Sequence, residues 1–118
     1  MQQQSLEAFA NGAGIWAELS RECRLEQLDQ MIALLDELYP SLRLYFFSGL
    51  SHFSAPYTIF GTMRAAVYIG QAYFVFNTTG HIRDLTAHFA ELIRGATVQA
   101  NESAAFVRDL RAKTAKLR

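Results

Sequence analysis

Cysteine is nearly absent. The single Cys23 excludes an internal disulfide and any zinc site built from several thiolates, and it fits a reducing cytosol. Net charge is absent too: eleven Lys and Arg balance eleven Asp and Glu, so the chain lacks the domain-wide basic field of a dedicated nucleic-acid binder. No apolar run reaches the eighteen or so residues of a membrane span, and "MQQQSLEAF" lacks the basic and apolar regions of a signal peptide. A cytoplasmic, soluble protein with no membrane association is the expectation. GxSxG, GxGxxG and P-loop patterns are missing.

With three histidines in the chain, metal chemistry has few ligands to draw on. His81 and His88 fall on one side of a helix but about 10 Å apart along it, too far to share one ion. Cys23 lies between Arg21 and Arg24, which could favour a thiolate, yet nothing sets a base beside it. The reading is therefore no metal, no cofactor and no enzyme.

Apolar residues are plentiful at 51%, slightly above the average of about 45–50%, and the excess suggests a further buried surface such as a homodimer interface. The 118 residues read as one α+β domain, 1–118, with helices in 5–39, strands in 42–78 and helices in 80–116. "NGAG" at 11–14 interrupts the first helical segment. In "RLEQLDQMIALLDELYP" Leu25, Leu28, Ile32, Leu35 and Leu38 repeat at three and four, and Met31, Leu34 and Tyr39 widen that face until Pro40 stops the helix.

"LRLYFFS" (42–48) reads as a first strand by its aromatics. A second starts near Tyr57, bends or bulges at Gly61 and runs from Met63 to Ile69. Gly70-Gln71 suits a type II′ hairpin, which sets Ile69 opposite Ala72, Tyr68 opposite Tyr73, Val67 opposite Phe74, Ala66 opposite Val75, Ala65 opposite Phe76 and Arg64 opposite Asn77. This small antiparallel sheet of about three strands would carry the preceding and following helices on one face. Asn77, Thr78 or Thr79 would cap the next helix, with Asp84 in its first turn and Ile82, Leu85, Phe89, Leu92 and Ala96 as its stripe. A last helix over 102–116 shows Ala105, Phe106, Val107 and Leu110 as its apolar face. It ends in a basic stretch of Arg108, Arg111, Lys113, Lys116 and Arg118, read as a solvated helix end before a phosphate contact.

The candidate site is the polar side of the hairpin. Arg64, Tyr68, Tyr73 and Asn77 share it, joined by Arg43 and Tyr45 if the first strand pairs alongside. Arginine among tyrosines can grip a carboxylate or phosphate, build a subunit interface, or form an ordinary exposed face.

The segments "LYPSLRLYFF" and "SAPYTIFGTMRAAVYIGQAYFVFNTTGHIRDLTAHFAELIRGATV" resemble the C-terminal half of lambda-repressor-like (XRE) helix-turn-helix transcriptional regulators of bacteria, over roughly residues 25–98. The strand-strand-helix order ending in "HFAELIRGA" is also similar to half of a phospholipase-D-like domain, without the HxK and aspartate signature, so hydrolysis does not carry over. The regulator resemblance implies a sensing or dimerisation domain, a homodimer that takes a small anionic effector. DNA would be read by a helix-turn-helix part not in this chain, preceding Met1 in a longer protein. The alternatives are a stand-alone interaction module working through the wide helix 25–39, or a small-molecule enzyme using the polar sheet face.

Overall fold

A computed structural model describes residues 1–52 and 54–116. Phe53, between the segments 42–48 and 57–69 read as strands, and Arg118, the last basic residue of the tail, lie outside the described residues. The fold is α+β, as expected: among the described residues there are four α-helices and a three-stranded antiparallel sheet. The chain forms two compact units, one of Met1–Gly49 with Ala96–Arg118, the other of Leu50–Gly95.

The first unit is helical. α1 (Gln3–Asn11) ends because Gly12 takes a left-handed φ of 68°; the Gly12 and Ala13 N–H groups then donate back to the carbonyls of Phe9 and Ala8, a Schellman cap. After a short 3₁₀ turn (Gly14–Trp16), α2 (Arg21–Leu38) starts at Ser20, whose Oγ accepts the Cys23 N–H at 3.2 Å. α4 is the final helix, Ser103–Lys116, preceded by a 3₁₀ turn at Ala100–Glu102. α2 packs along α4 and buries Leu28 and Leu35 with Val107, Leu6, Ala10 and Phe46. Of the expected widened face, Leu34, Leu38 and Tyr39 remain exposed. On α4, Ala105 is exposed and Ala104 packs in its place, while Ser103 and Thr114 are buried by bonding their hydroxyls to the carbonyls of Ala100 and Leu110.

The expected strand at 42–48 does not form. Phe46 and Phe47 are both buried, and each pairs only through an isolated bridge and not along a ladder. They fill the helical unit instead. Phe46 makes an isolated antiparallel bridge to Val98, and Phe47 a parallel bridge to Gln2. The Phe46 ring lies 4.7 Å from that of Phe106.

The second unit holds the sheet, and its three strands are β1 (Tyr57–Phe60), β2 (Arg64–Ile69) and β3 (Ala72–Phe76), in that spatial order. Gly61 is not a bulge inside one strand. Its φ of 59° belongs to the three-residue turn 61–63 that reverses the chain and splits the expected strand in two. At the second turn Gly70 has φ 60° and Gln71 has no positive φ, the pattern of type II′. The observed β2–β3 register matches every expected pair from Ile69–Ala72 to Ala65–Phe76.

α3 (Thr79–Arg94) packs against β1 and β2. Thr78 sits at its N-cap without a side-chain bond, and Asp84 lies beyond the first turn. The inward stripe is rotated from the expected one: His88 is half-buried and Phe89 exposed, and Ala96 lies past the helix end. The cause is a polar pair, for His88 Nδ1 meets the Tyr57 hydroxyl at 2.9 Å. His81, seven residues earlier, stacks edge-on against Phe76 at 5.4 Å.

Candidate functional site

Strand pairing sorts the sheet residues onto two sides, because directly opposed residues share a face. Tyr57, Ile59, Ala65, Val67, Phe74 and Phe76 lie on the side of α3. The other side carries Thr58, Phe60, Arg64, Ala66, Tyr68, Tyr73 and Val75. On that side Phe60, Arg64, Ala66, Tyr68, Tyr73 and Val75 line a shallow concavity of about 310 Å³. Ala66 forms its floor and is buried, because its methyl group is the smallest side chain among large neighbours.

The walls are aromatic and open. Tyr68 and Tyr73, cross-strand partners, hold their rings 6.2 Å apart, and Phe60 sits beside Arg64 on the neighbouring strand. Among the described residues Arg64 makes no ion pair. An exposed guanidinium with no carboxylate of its own, set among ring faces, offers a planar fork of donors to a carboxylate or phosphate and a stacking surface to whatever carries it.

Three of the six candidate residues therefore come together: Arg64, Tyr68 and Tyr73. Asn77 falls one residue beyond the end of β3 and does not line the concavity. The condition for Arg43 and Tyr45 to join is not met, since 42–48 is not a strand of this sheet. Arg43 donates to the Pro40 carbonyl at 3.2 Å, and the Tyr45 carbonyl accepts from the Met1 ammonium at 2.9 Å.

The other chemical candidates are occupied by structure. Arg24 turns from Cys23 to the carbonyls of Ala10 and Leu19, and Arg21 reaches the carbonyl of Ala115. Cys23 is exposed. The basic tail is largely paired: Arg111 bridges Asp29 through two bonds of 2.9 and 3.2 Å, Arg108 pairs with Asp36, and Lys113 with Asp109. Among the described residues no group of three His, Cys, Asp or Glu is placed to hold a metal ion, and no helix is long and apolar enough to cross a membrane.

A second concavity was only partly legible. A groove of about 430 Å³ in the helical unit is lined by Leu6, Phe9, Leu28, Met31, Leu34 and Leu44, among others. The widening of the α2 face by Met31 and Leu34 was its signal; the contributions of α1 and of Leu44 had none. Comparison with protein-family models, with curated proteins and with solved structures returns no match.

Proposed function

We propose that the chain is a non-catalytic regulatory domain of a bacterial transcriptional regulator, cytoplasmic, which dimerises and takes a small anionic effector on the face of Arg64, Tyr68 and Tyr73. The observation that carries the effector reading is Arg64, a cation without an ion-pair partner among the described residues, at the edge of an aromatic concavity. A guanidinium held there supplies orientation through bidentate bonding, while the tyrosines supply flat apolar contact with a hydroxyl at the rim. DNA is read by a helix-turn-helix part not in this chain, in keeping with the resemblance. The apolar excess of the composition supports self-association.

The test is a thermal-shift and calorimetric panel of dicarboxylates, phosphorylated sugars and nucleotides, run on the parent, Arg64→Ala and Arg64→Lys. Micromolar binding of one class, weakened at least about tenfold by Arg64→Ala and less by Arg64→Lys, is the expected result. If nothing in the panel binds, or the alanine variant binds as the parent does, the face is ordinary surface. A second reading, a protein-interaction module, is favoured by the apolar groove along α2 with Leu34 and Leu38 exposed beside it. In that case a partner chain co-purifies and Leu34→Lys releases it.

A further inference from the structure

β3 is the outer strand of the sheet and is unlike β1, the strand at the other edge. β1 alternates half-buried and exposed residues, because α3 covers one of its faces. β3 exposes four consecutive residues on both faces: Tyr73, Phe74 and Val75 are 64%, 54% and 57% accessible, and Ala72 is exposed beside them. Its sequence, "AYFVF", has no charge, no proline and no glycine. Edge strands are ordinarily protected from pairing by charges, prolines or bulges. None of these is present within β3.

Strand pairing shows which backbone groups of β3 turn to the edge that is open among the described residues. A two-residue hairpin makes Ile69–Ala72 a hydrogen-bonded pair, and the alternation of an antiparallel ladder gives Val67–Phe74 and Ala65–Phe76 the same status. Tyr68 conforms: its N–H turns away from β3 and donates to the Pro56 carbonyl at 2.9 Å. Tyr73 and Val75 therefore point their N–H and C=O groups to the open edge.

We infer that β3 pairs with β3 of a second copy of this chain, antiparallel about a two-fold axis at Phe74, to make one continuous six-stranded sheet. The inference rests on the dimer of the proposed function and names its seam. The strand is complementary to itself. With Phe74 on the axis, Tyr73 lies opposite Val75 of the second copy and Val75 opposite its Tyr73, so the outward backbone groups of both strands are used. Ala72 falls opposite Phe76, and Phe74 meets its own equivalent. Large side chains thus sit beside small ones, except on the axis, where two aromatics meet. An uncharged strand meets its copy without like-charge repulsion, and Arg64, level with position 77, lies beyond the paired stretch.

The experiment is sedimentation from low to high micromolar concentration together with cysteine cross-linking. Val75→Pro removes an N–H that points to the open edge and leaves the bonds to β2 in place. It should weaken the dimer at least about tenfold with an unchanged circular dichroism spectrum. In a Cys23→Ser background, Phe74→Cys should form an intermolecular disulfide far faster than Thr58→Cys, the control on β1. A parent that stays monomeric overturns the seam and the dimer alike, and leaves anion binding by Arg64 standing. A dimer unaffected by Val75→Pro, with Phe74→Cys no faster than the control, overturns the seam alone. Should Val75→Pro unfold the protein, the cross-linking rates decide. A monomer that captures extended peptides also overturns the inference.

Discussion

Phe46 joins backbone pairing and side-chain packing at one position, so its truncation tests how the helical unit is held. The residue is completely buried, and its N–H and C=O pair with Val98 at 3.1 and 3.2 Å while the ring packs on Phe106. Phe46→Ala leaves the backbone bonds possible and removes the ring. Burial of a phenylalanine is worth about 1.5–3 kcal/mol, and the lost aromatic pair and unfilled cavity bring the usual cost to about 3–5 kcal/mol. With a urea m-value of about 1–3 kcal/mol/M for a small protein, the midpoint should fall by roughly 2 M. Trp16, the only tryptophan, stacks edge-on against Phe9 at 5.1 Å in the same unit and reports its unfolding by fluorescence. Phe46→Leu, which keeps most of the volume, should lose less than half as much. A midpoint shift below about 0.5 M at unchanged m-value would show that the ring is not a core element, and the packing account would fail.

Gly12→Ala forces a side chain into φ 68° and brings its Cβ within 2.8 Å of the Arg24 guanidinium, so a stability loss of about 1–2 kcal/mol is expected on chemical denaturation. A neutral result would mean that the α1 cap is free to rearrange. Burial pushes the Tyr57 hydroxyl above its ordinary value of 10.0, so the folded state holds that proton longer than the unfolded state. Its contribution is full below pH 10 and is lost as pH rises through the folded value. Ultraviolet titration should show one of the five tyrosines ionising late, and Tyr57→Phe should abolish that step. Asp29→Asn breaks the exposed pair with Arg111 and should cost no more than about 1 kcal/mol, less at high salt. A loss several times larger would mark the α2–α4 contact as electrostatic, contrary to its apolar core.

The hairpin was legible because turn chemistry is local. Gly70 at the first central position fixes the register, and the register alone sorts Arg64, Tyr68 and Tyr73 onto one side. Asn77 belonged to the same alternation but lay past the point where pairing stops, and strand ends leave little trace in sequence. Residues 42–48 misled because aromatic content serves a strand and a core filler equally well; that Phe46 and Phe47 are both buried depends on Val98 and Gln2, distant partners no local pattern shows. Gly61 carried a true signal with two meanings, bulge or reversal. His88 displaced Phe89 from the inner face of α3 because a hydrogen bond to Tyr57 outweighed hydrophobic rank. The two-unit organisation joins residues 1–49 to 96–118, stretches far apart in the chain whose association leaves no local pattern.

The antiparallel bridge between Phe46 and Val98 brings together chain positions just outside the two ends of the sheet unit. For the helical unit, everything from Leu50 to Gly95 is topologically a single loop whose mouth is held by that bridge. Shortening it to a turn of a few residues removes about three doublings of loop length, about 2 kcal/mol of closure entropy. A short turn in place of Leu50–Gly95 should therefore close the helical unit at lower entropic cost, which its midpoint of chemical denaturation would read.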